Sequence, residues 1–224
     1  MPESPEIEAL RAEYEKQVYD LKQLLEVSKS LNSTLDYHNL IDAILFTIMG
    51  QMRVLKAGRL AKKGLDATQF SLHRNYKGFE LRHGVDYSVA EDHPLVKLFA
   101  RSSRCCTVEE ALARLGGERG IEGLVSLEPS LLVPLKAKGV VNGIILLGDR
   151  IESGPFAEEE RDYVLTIATF AAIAIDNAFL FEMTTTDMMT KLKMKHYFYT
   201  LLLERMGPAA SRGEPLSVGM MDID

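Results

Sequence analysis

The sequence predicts an α+β fold in which a largely antiparallel sheet is bracketed by two long helices. The first sign is an apolar stretch at 158–186 that has no glycine or proline and repeats every three or four residues, as one face of a helix does. A similar repeat fills 6–35. Between them, short strand patterns follow one another in a block and do not alternate with helices, which favours antiparallel pairing.

The composition is typical of a soluble protein with a sizeable core. The 224 residues are 46% apolar, which allows one domain with extensions or two small domains. The formal net charge of −6 argues against a nucleic-acid partner, which usually needs a basic face. We expect no membrane span, because no apolar run reaches about 18 residues. The adjacent pair Cys105-Cys106 does not suit a structural disulfide, so we predict a cytoplasmic protein.

A heptad-like apolar seam runs through the helix predicted at 6–35. Its members recur at spacings of three and four over about four heptads. The residues that we assign to a dimer contact are Leu10, Tyr14, Leu21 and Leu24. The seam fits a parallel coiled-coil homodimer or an amphipathic helix that lies on its own domain. We favour the dimer, because the helix begins before any other element exists for it to cover.

The middle of the chain reads as short helices and strands. Asp36 is placed to cap a helix over 37–52. Further helices are predicted at 93–101, where Pro94 suits the first turn, and at 109–115. Strands are predicted at 53–63, 69–76, 79–89, 103–108, 131–137 and 140–147.

Two connections in this region have clear signals. Lys138-Gly139 joins the last two strands and predicts a hairpin. The segment 116–129 carries four glycines and is predicted to be a mobile loop or lid, with Arg119 as its only cation.

The helix predicted at 158–186 begins with three glutamates, which the helix dipole favours in a first turn. Its seam consists mostly of small residues, so a second helix could approach it closely. The seam residues that we assign to a dimer contact are Val164, Ile167, Ala171, Ala174 and Ala178.

Three segments, 24–48, 130–150 and 156–182, resemble a GAF domain. The most specific is the last, an aromatic residue followed by an acidic turn and a helix that ends in an AI-N-A pattern. The resemblance covers 24–182 and leaves 1–23 as an N-terminal coiled-coil helix. It implies a sensory module on a central antiparallel sheet, which often dimerises through its terminal helices and often holds a small ligand between sheet and loops.

A second resemblance lies within 183–224, to the opening of a GGDEF domain, the catalytic domain of diguanylate cyclases. The family's opening reads roughly D-x-L-T-G-L-x-N-R-R-x-F, and PLSVGMMDID matches its first strand. The positions that fit or nearly fit are Asp187, Met189, Thr190, Leu192, Lys195 and Phe198. The positions that depart are Lys191, Met194 and His196.

The GGDEF resemblance implies magnesium and GTP as the needs of an intact parent. Asp222 falls on a carboxylate that binds the metal, and Ile223 on the residue whose backbone carbonyl helps. The sequence stops at Asp224, before the family's signature hairpin, so no catalytic residue is assigned here. Phosphoryl transfer needs several groups that hold phosphates and metal ions in line, so we expect the chain as given to be inactive.

Poor helix formers separate the two modules. Thr184, Thr185 and Thr186 precede Asp187, and we predict the hinge or register-setting joint at these four residues.

The ligand of the GAF-like module is left open by the sequence. Nucleotide-binding GAF domains carry an Asn-Lys pair, a phenylalanine and an Asp-Glu pair. Here Gly148-Asp149-Arg150 replaces the first pair, Phe156 is present, and Glu160-Arg161 replaces the second pair. A linear tetrapyrrole would need a cysteine beside a histidine, which Cys105-Cys106 lacks. An unknown small molecule, or no ligand, fits better.

Haem and redox chemistry are two further possibilities. A neutral imidazole could ligate haem iron, and the candidates are His73, His83 and His93. The vicinal thiols could sense redox state or bind a soft metal, although two thiolates alone make an incomplete site. For both groups an ordinary structural role is the commoner outcome.

The sequence therefore favours a cytoplasmic regulatory module that dimerises and sets the geometry of diguanylate cyclase domains. An intact parent could make cyclic di-GMP from GTP. The alternative is a catalytically inactive parent in which the GAF domain is a ligand-free dimerisation platform.

Overall fold

The computed structural model of the chain describes residues 5–64, 66–152, 154–187, 189–190 and 192–222. Within them it contains seven helices and five strands. The helices are α1 (Pro5–Leu31), α2 (Tyr37–Met52), α3 (Pro94–Arg101), α4 (Val108–Leu115), α5 (Glu122–Val125), α6 (Glu158–Thr185) and α7 (Lys195–Arg212). The strands are β1 (Ala57–Ala61), β2 (Gln69–Leu72), β3 (Ser88–Ala90), β4 (Leu131–Ala137) and β5 (Val140–Leu147).

The five strands form one sheet in the order β3-β2-β1-β5-β4, and each neighbouring pair is antiparallel. The β4–β5 hairpin turns at Lys138 and Gly139, whose φ angles are 50° and 81°. Positive φ at both central residues matches the right-handed twist of the flanking strands. The prediction of an α+β fold with a central antiparallel sheet is confirmed.

The sheet separates two apolar clusters, because successive side chains of a strand point to opposite faces. On one face Val133 and Ile145 pack with α2, α6 and the end of α1. On the other, Leu132 and Ile144 pack with α3, α4 and α5. Helices α1, α2 and α6 therefore lie on one side of the sheet, and α3, α4 and α5 lie on the other.

The chain divides into two compact units, one up to Ala178 and one from Phe179 onward. The first unit holds the whole sheet. The second holds the end of α6, a short turn and α7. Within it, the Phe181 and Tyr197 rings meet edge to face with centroids 5.9 Å apart, and α7 buries none of its residues.

Most helix and hairpin predictions are confirmed within a residue or two, including 37–52, 93–101, 109–115 and 131–147. One strand prediction is wrong. Residues 103–108 form only an isolated bridge, between Cys106 and Leu132. Residues 215–222, which the GGDEF resemblance compares with that family's first strand, are not in a strand here. The strand predicted at 79–89 is reduced to β3.

The predicted mobile loop at 116–129 is also corrected. It contains α5, and Ile121, Leu124 and Leu127 lie in the core. Gly123 packs so closely that an added Cβ would clash with the carbonyl oxygen of Asp86. The glycine serves close packing at this point, and the segment is not an open loop.

Candidate functional site

The seam predicted on α6 does not face a partner. Its five residues are 0–3% exposed and lie in the chain's own core. They are Val164, Ile167, Ala171, Ala174 and Ala178. Their assignment to a dimer contact is wrong. The small side chains let α6 approach the helices and sheet of its own domain.

By length and composition, α6 is the one described helix that could cross a membrane, and 44% of its apolar window is buried inside the chain. The core helix of a globular domain meets the same criteria, so this is weak evidence for a span.

Helix α1 carries two apolar faces with different neighbours. Toward its end, Val27 and Leu31 are 7% and 0% exposed, and the half-buried Leu24 packs beside them. Leu24 therefore belongs to the face that covers the chain's own core, and its assignment to the dimer seam is corrected.

The second face of α1 is open. Its large apolar side chains are 48–65% exposed. They are Ile7, Leu10, Tyr14, Val18, Leu21 and Leu25, which we call the α1 stripe. At 3.6 residues per turn the stripe lies roughly a third of a turn around the helix from Val27 and Leu31. Leu10, Tyr14 and Leu21 thus remain candidates for a dimer contact, and Val18 and Leu25 join them.

The beginning of α6 is held by two arginine–glutamate pairs. Arg150 is 3.1 Å from Glu160, whose carboxylate also accepts from the backbone N–H of Ala157 at 2.8 Å. Arg161 donates to both carboxylate oxygens of Glu110 at 2.9 and 3.2 Å. Both arginine side chains are 17% exposed. The first turn of α6 is therefore tied to the loop before it and to α4.

The second pair changes the ionisation of Glu110. Burial works against its ionisation, but hydrogen bonds from Arg161 and from the backbone of Thr107 outweigh it, so the pKa of Glu110 is lowered. Thr107 accepts in return from the N–H of Glu110 at 3.1 Å, which completes a capping box at the start of α4.

These pairs occupy the positions compared above with nucleotide-binding GAF domains. Arg150 and Glu160 bind each other and Arg161 binds Glu110, while Phe156 is buried and lies under the Arg150 guanidinium at 5.9 Å. The side chains are thus engaged in holding α6.

The two cysteines point into opposite sides of the sheet. Cys105 belongs to the cluster with α6 and Cys106 to the cluster with α3 and α4, as adjacent residues in extended backbone do. Burial raises the pKa of Cys105 to about 12 and that of Cys106 to about 11. Both are free, protonated thiols at neutral pH, and they are not arranged to chelate one metal.

The sheet face under the short helices is filled by side chains. Phe70, Phe99, Leu95, Ile121 and Leu124 are each 0–1% exposed there. These residues occupy the space between sheet and loops in which a GAF ligand was expected.

The three histidines considered as haem ligands are either hydrogen-bonded to the backbone or exposed. His93 begins α3, where its Nδ1 accepts from the N–H of Leu95 at 3.1 Å and its Nε2 lies 2.9 Å from the Arg119 carbonyl oxygen. His73 accepts weakly from the N–H of Asn75, and His83 is exposed. Among the described residues, no group of three or more histidine, cysteine or acidic side chains could hold a metal ion.

The predicted joint is an ordered turn. Thr184 and Thr185 end α6, and Thr185 and Thr186 are 4% and 7% exposed. Asp187 Oδ1 accepts from the backbone N–H and the hydroxyl of Thr190 at 2.7 and 2.8 Å. Lys193 donates to the Thr186 hydroxyl at 2.8 Å. The chain leaves α6 through these contacts.

The predicted metal residues are only partly described. Asp222 is exposed and lies in the non-helical segment after α7, while Ile223 lies outside the described residues, as does Lys191.

Solved structures show which class of fold this is. The GAF domain of an Acinetobacter phosphoenolpyruvate-protein phosphotransferase matches with a TM-score of 0.51 and 17% identity, over 73% of this chain and 96% of that one. The corresponding GAF domain from Coxiella burnetii gives 0.52 and 16%, over 72% and 95%. The chain has the GAF fold, and at such identities the likeness shows the fold alone. No protein-family model matches the chain.

One curated relative is much closer in sequence. Diguanylate cyclase A from Treponema denticola is 45% identical over 214 residues, which cover 94% of this chain. The chain spans 58% of the length of that protein. The chain is therefore a GAF-fold protein with a diguanylate cyclase homologue.

Proposed function

We propose that the chain is the dimeric sensory module of a diguanylate cyclase-like protein, and that it controls a GGDEF output domain in cyclic di-GMP signalling. The similarity to diguanylate cyclase A, which continues past the GAF fold, supports this assignment. The structural observation that carries it is α6, which leaves the sheet unit and runs without interruption into the second unit.

In this proposal the module controls its output domains by setting their relative positions. The α1 stripe pairs with the same stripe of a second copy, which places two α6 helices in one assembly. A cyclase joins two GTP molecules held by two facing domains, so the spacing and rotation of α6 set the rate. In the intact parent Asp222 and Ile223 hold magnesium, and the protein works in the cytoplasm.

The joint at 184–187 fixes the register between α6 and the segment after it. Because the turn there is hydrogen-bonded, a residue inserted into it would disturb the turn itself. The better site for a coupling test is the boundary between the two units, after Ala178. Two inserted alanines rotate the rest of the helix by about 200°, whereas seven return it to within about 20° of its original phase.

The test is cyclic di-GMP synthesis by the intact parent with GTP and magnesium. We expect the two-residue insertion to change the rate severalfold and the seven-residue insertion to leave it near that of the wild type. Equal effects of both insertions would contradict control by helix phase. A parent without any synthesis would contradict the cyclase role.

A second candidate is a ligand-free dimerisation platform on an inactive parent. The observation that favours it is the filled sheet face, where Phe70, Phe99 and Leu124 are 0–1% exposed. Native mass spectrometry of the purified chain discriminates the two, because a platform gives the dimer mass with no bound small molecule.

A further inference from the structure

A small polar cleft lies between the first turn of α6, helix α4 and the segment that joins α3 to α4. Its volume is about 160 Å³, and six of its seven lining residues are charged. None of its lining residues is among those that fill the sheet face under the short helices. Its contents therefore do not depend on opening the apolar core.

Two of the charges are already paired. Arg161 and Glu110 bind each other through two hydrogen bonds, and Arg161 also donates to the Phe156 carbonyl oxygen at 3.2 Å. The floor of the cleft adds no charge, because the buried thiol of Cys105 stays protonated.

Four lining charges are left over. Arg104, Arg114, Glu158 and Asp162 make no ion pair and no side-chain hydrogen bond within the described part of the chain. Arg104 lies in the segment before α4, and Arg114 lies in the last turn of α4. The two acidic residues are four positions apart, so they share one face of α6 and form the opposite wall. Apart from the Arg161–Glu110 pair, the charges on each side of the cleft therefore have one sign.

We infer that this cleft binds a free α-amino acid with a small side chain. The α-carboxylate would meet Arg104 and Arg114, and the α-ammonium would meet Glu158 and Asp162. A simple anion would be repelled by the second wall, and a simple cation by the first. At about 160 Å³ the cleft is well below the 300 Å³ or more of a drug-sized pocket, which favours a small ligand.

Only the regulatory effect of a bound amino acid rests on the proposed function. A bound amino acid would link α4 to the first turn of α6, and it would do so beside the Arg161–Glu110 pair. It would therefore act on the helix that leads out of the sheet unit. Binding itself requires neither a dimer nor a cyclase.

Calorimetric titration of the intact chain tests the ligand class. The probes are glycine and L-serine, with acetate, methylammonium and inorganic phosphate as single-charge comparisons. We expect saturable binding of glycine and serine, and at least tenfold weaker binding of acetate and methylammonium, since each loses one charged wall. Phosphate binding tighter than glycine binding would overturn the inference, as would no glycine binding at all.

Matched variants locate the site. Glu158→Gln and Arg114→Gln should each weaken glycine binding roughly tenfold or more. The controls are Glu159→Gln, one residue along α6, and Arg101→Gln at the end of α3, which do not line the cleft. Equal weakening by the controls would overturn the assignment.

Two checks keep the outcome clear. Glu158 and Arg114 are exposed, so unchanged thermal unfolding without glycine shows that the fold is intact. A chain that binds glycine but remains monomeric would refute the dimeric assembly and leave the cleft assignment standing. A dimer that does not bind glycine would refute the cleft assignment and leave the dimeric assembly standing.

Discussion

Replacing Leu21 by glutamate tests whether the α1 stripe is the contact between two copies. Leu21 is 65% exposed in the single chain. Full burial of a leucine side chain is worth about 2 kcal/mol, so covering the exposed two thirds is worth about 1.3 kcal/mol. Both copies contribute, so Leu21→Glu removes about 2.6 kcal/mol of dimer stability. At about 1.4 kcal/mol per factor of ten, the dimer dissociation constant should rise roughly 70-fold.

Sedimentation velocity over a wide range of concentrations measures this change. The matched control is Ala12→Glu, which adds the same charge to an exposed position on the far side of α1. The control should leave the dissociation constant within about twofold. A wild-type chain that stays monomeric at the highest concentration would refute the reasoning. Equal weakening by Ala12→Glu would show that charge on α1, and not loss of the stripe, drives the change.

Three further predictions concern the single chain. Because the folded pKa of Glu110 lies below its ordinary value of 4.5, its contribution is full above that pH and is lost as pH falls through the folded pKa. Urea unfolding should therefore show the stability difference between wild type and Glu110→Gln shrinking below about pH 4.5, and a constant difference would contradict it. Cys105 and Cys106 should resist a thiol reagent at pH 8 and react fully in urea; rapid native labelling would show that they are not buried. Gly123→Ala should lower the free energy of unfolding by about 1–3 kcal/mol, because its Cβ meets the Asp86 carbonyl, and an unchanged urea midpoint would refute that contact.

The sequence predicts the fold class well, because that class depends on periodicity and turn chemistry. The 3.6-residue repeat that defines α6 and the Lys138-Gly139 turn of the β4–β5 hairpin are both local signals. Weak strands are different. The segment at 103–108 has strand-like composition but meets β4 at a single bridge, which only the tertiary arrangement decides.

The same limit explains the dimer seam. An apolar stripe shows that one face of a helix is covered, but the stripe does not name what covers it. On α6 the cover is the chain's own core, as the complete burial of Ala171 shows. On α1 two apolar faces overlap in sequence, so Leu24 could be assigned to the core only once the position of α2 was known.

The charged cleft was not predicted either. Its walls come from Arg104 and Arg114 on one side and from Glu158 and Asp162 on the other, more than forty positions further along the chain. No spacing rule links such positions, since they meet only after the sheet has formed. The available signal was the face shared by Glu158 and Asp162, which by itself reads as a solvated helix surface.

In the proposed mechanism, the contacts that hold α6 in its own domain limit how it can move. Its first turn is fixed by Arg150 and Arg161, and its seam is buried as far as Ala178, so the helix cannot rotate freely against its own sheet. No glycine or proline interrupts it, and sharp kinks are almost always at such residues. A ligand in the cleft would act on that first turn directly. We propose that an output domain reads this change through α6, and the paired insertions after Ala178 test that coupling.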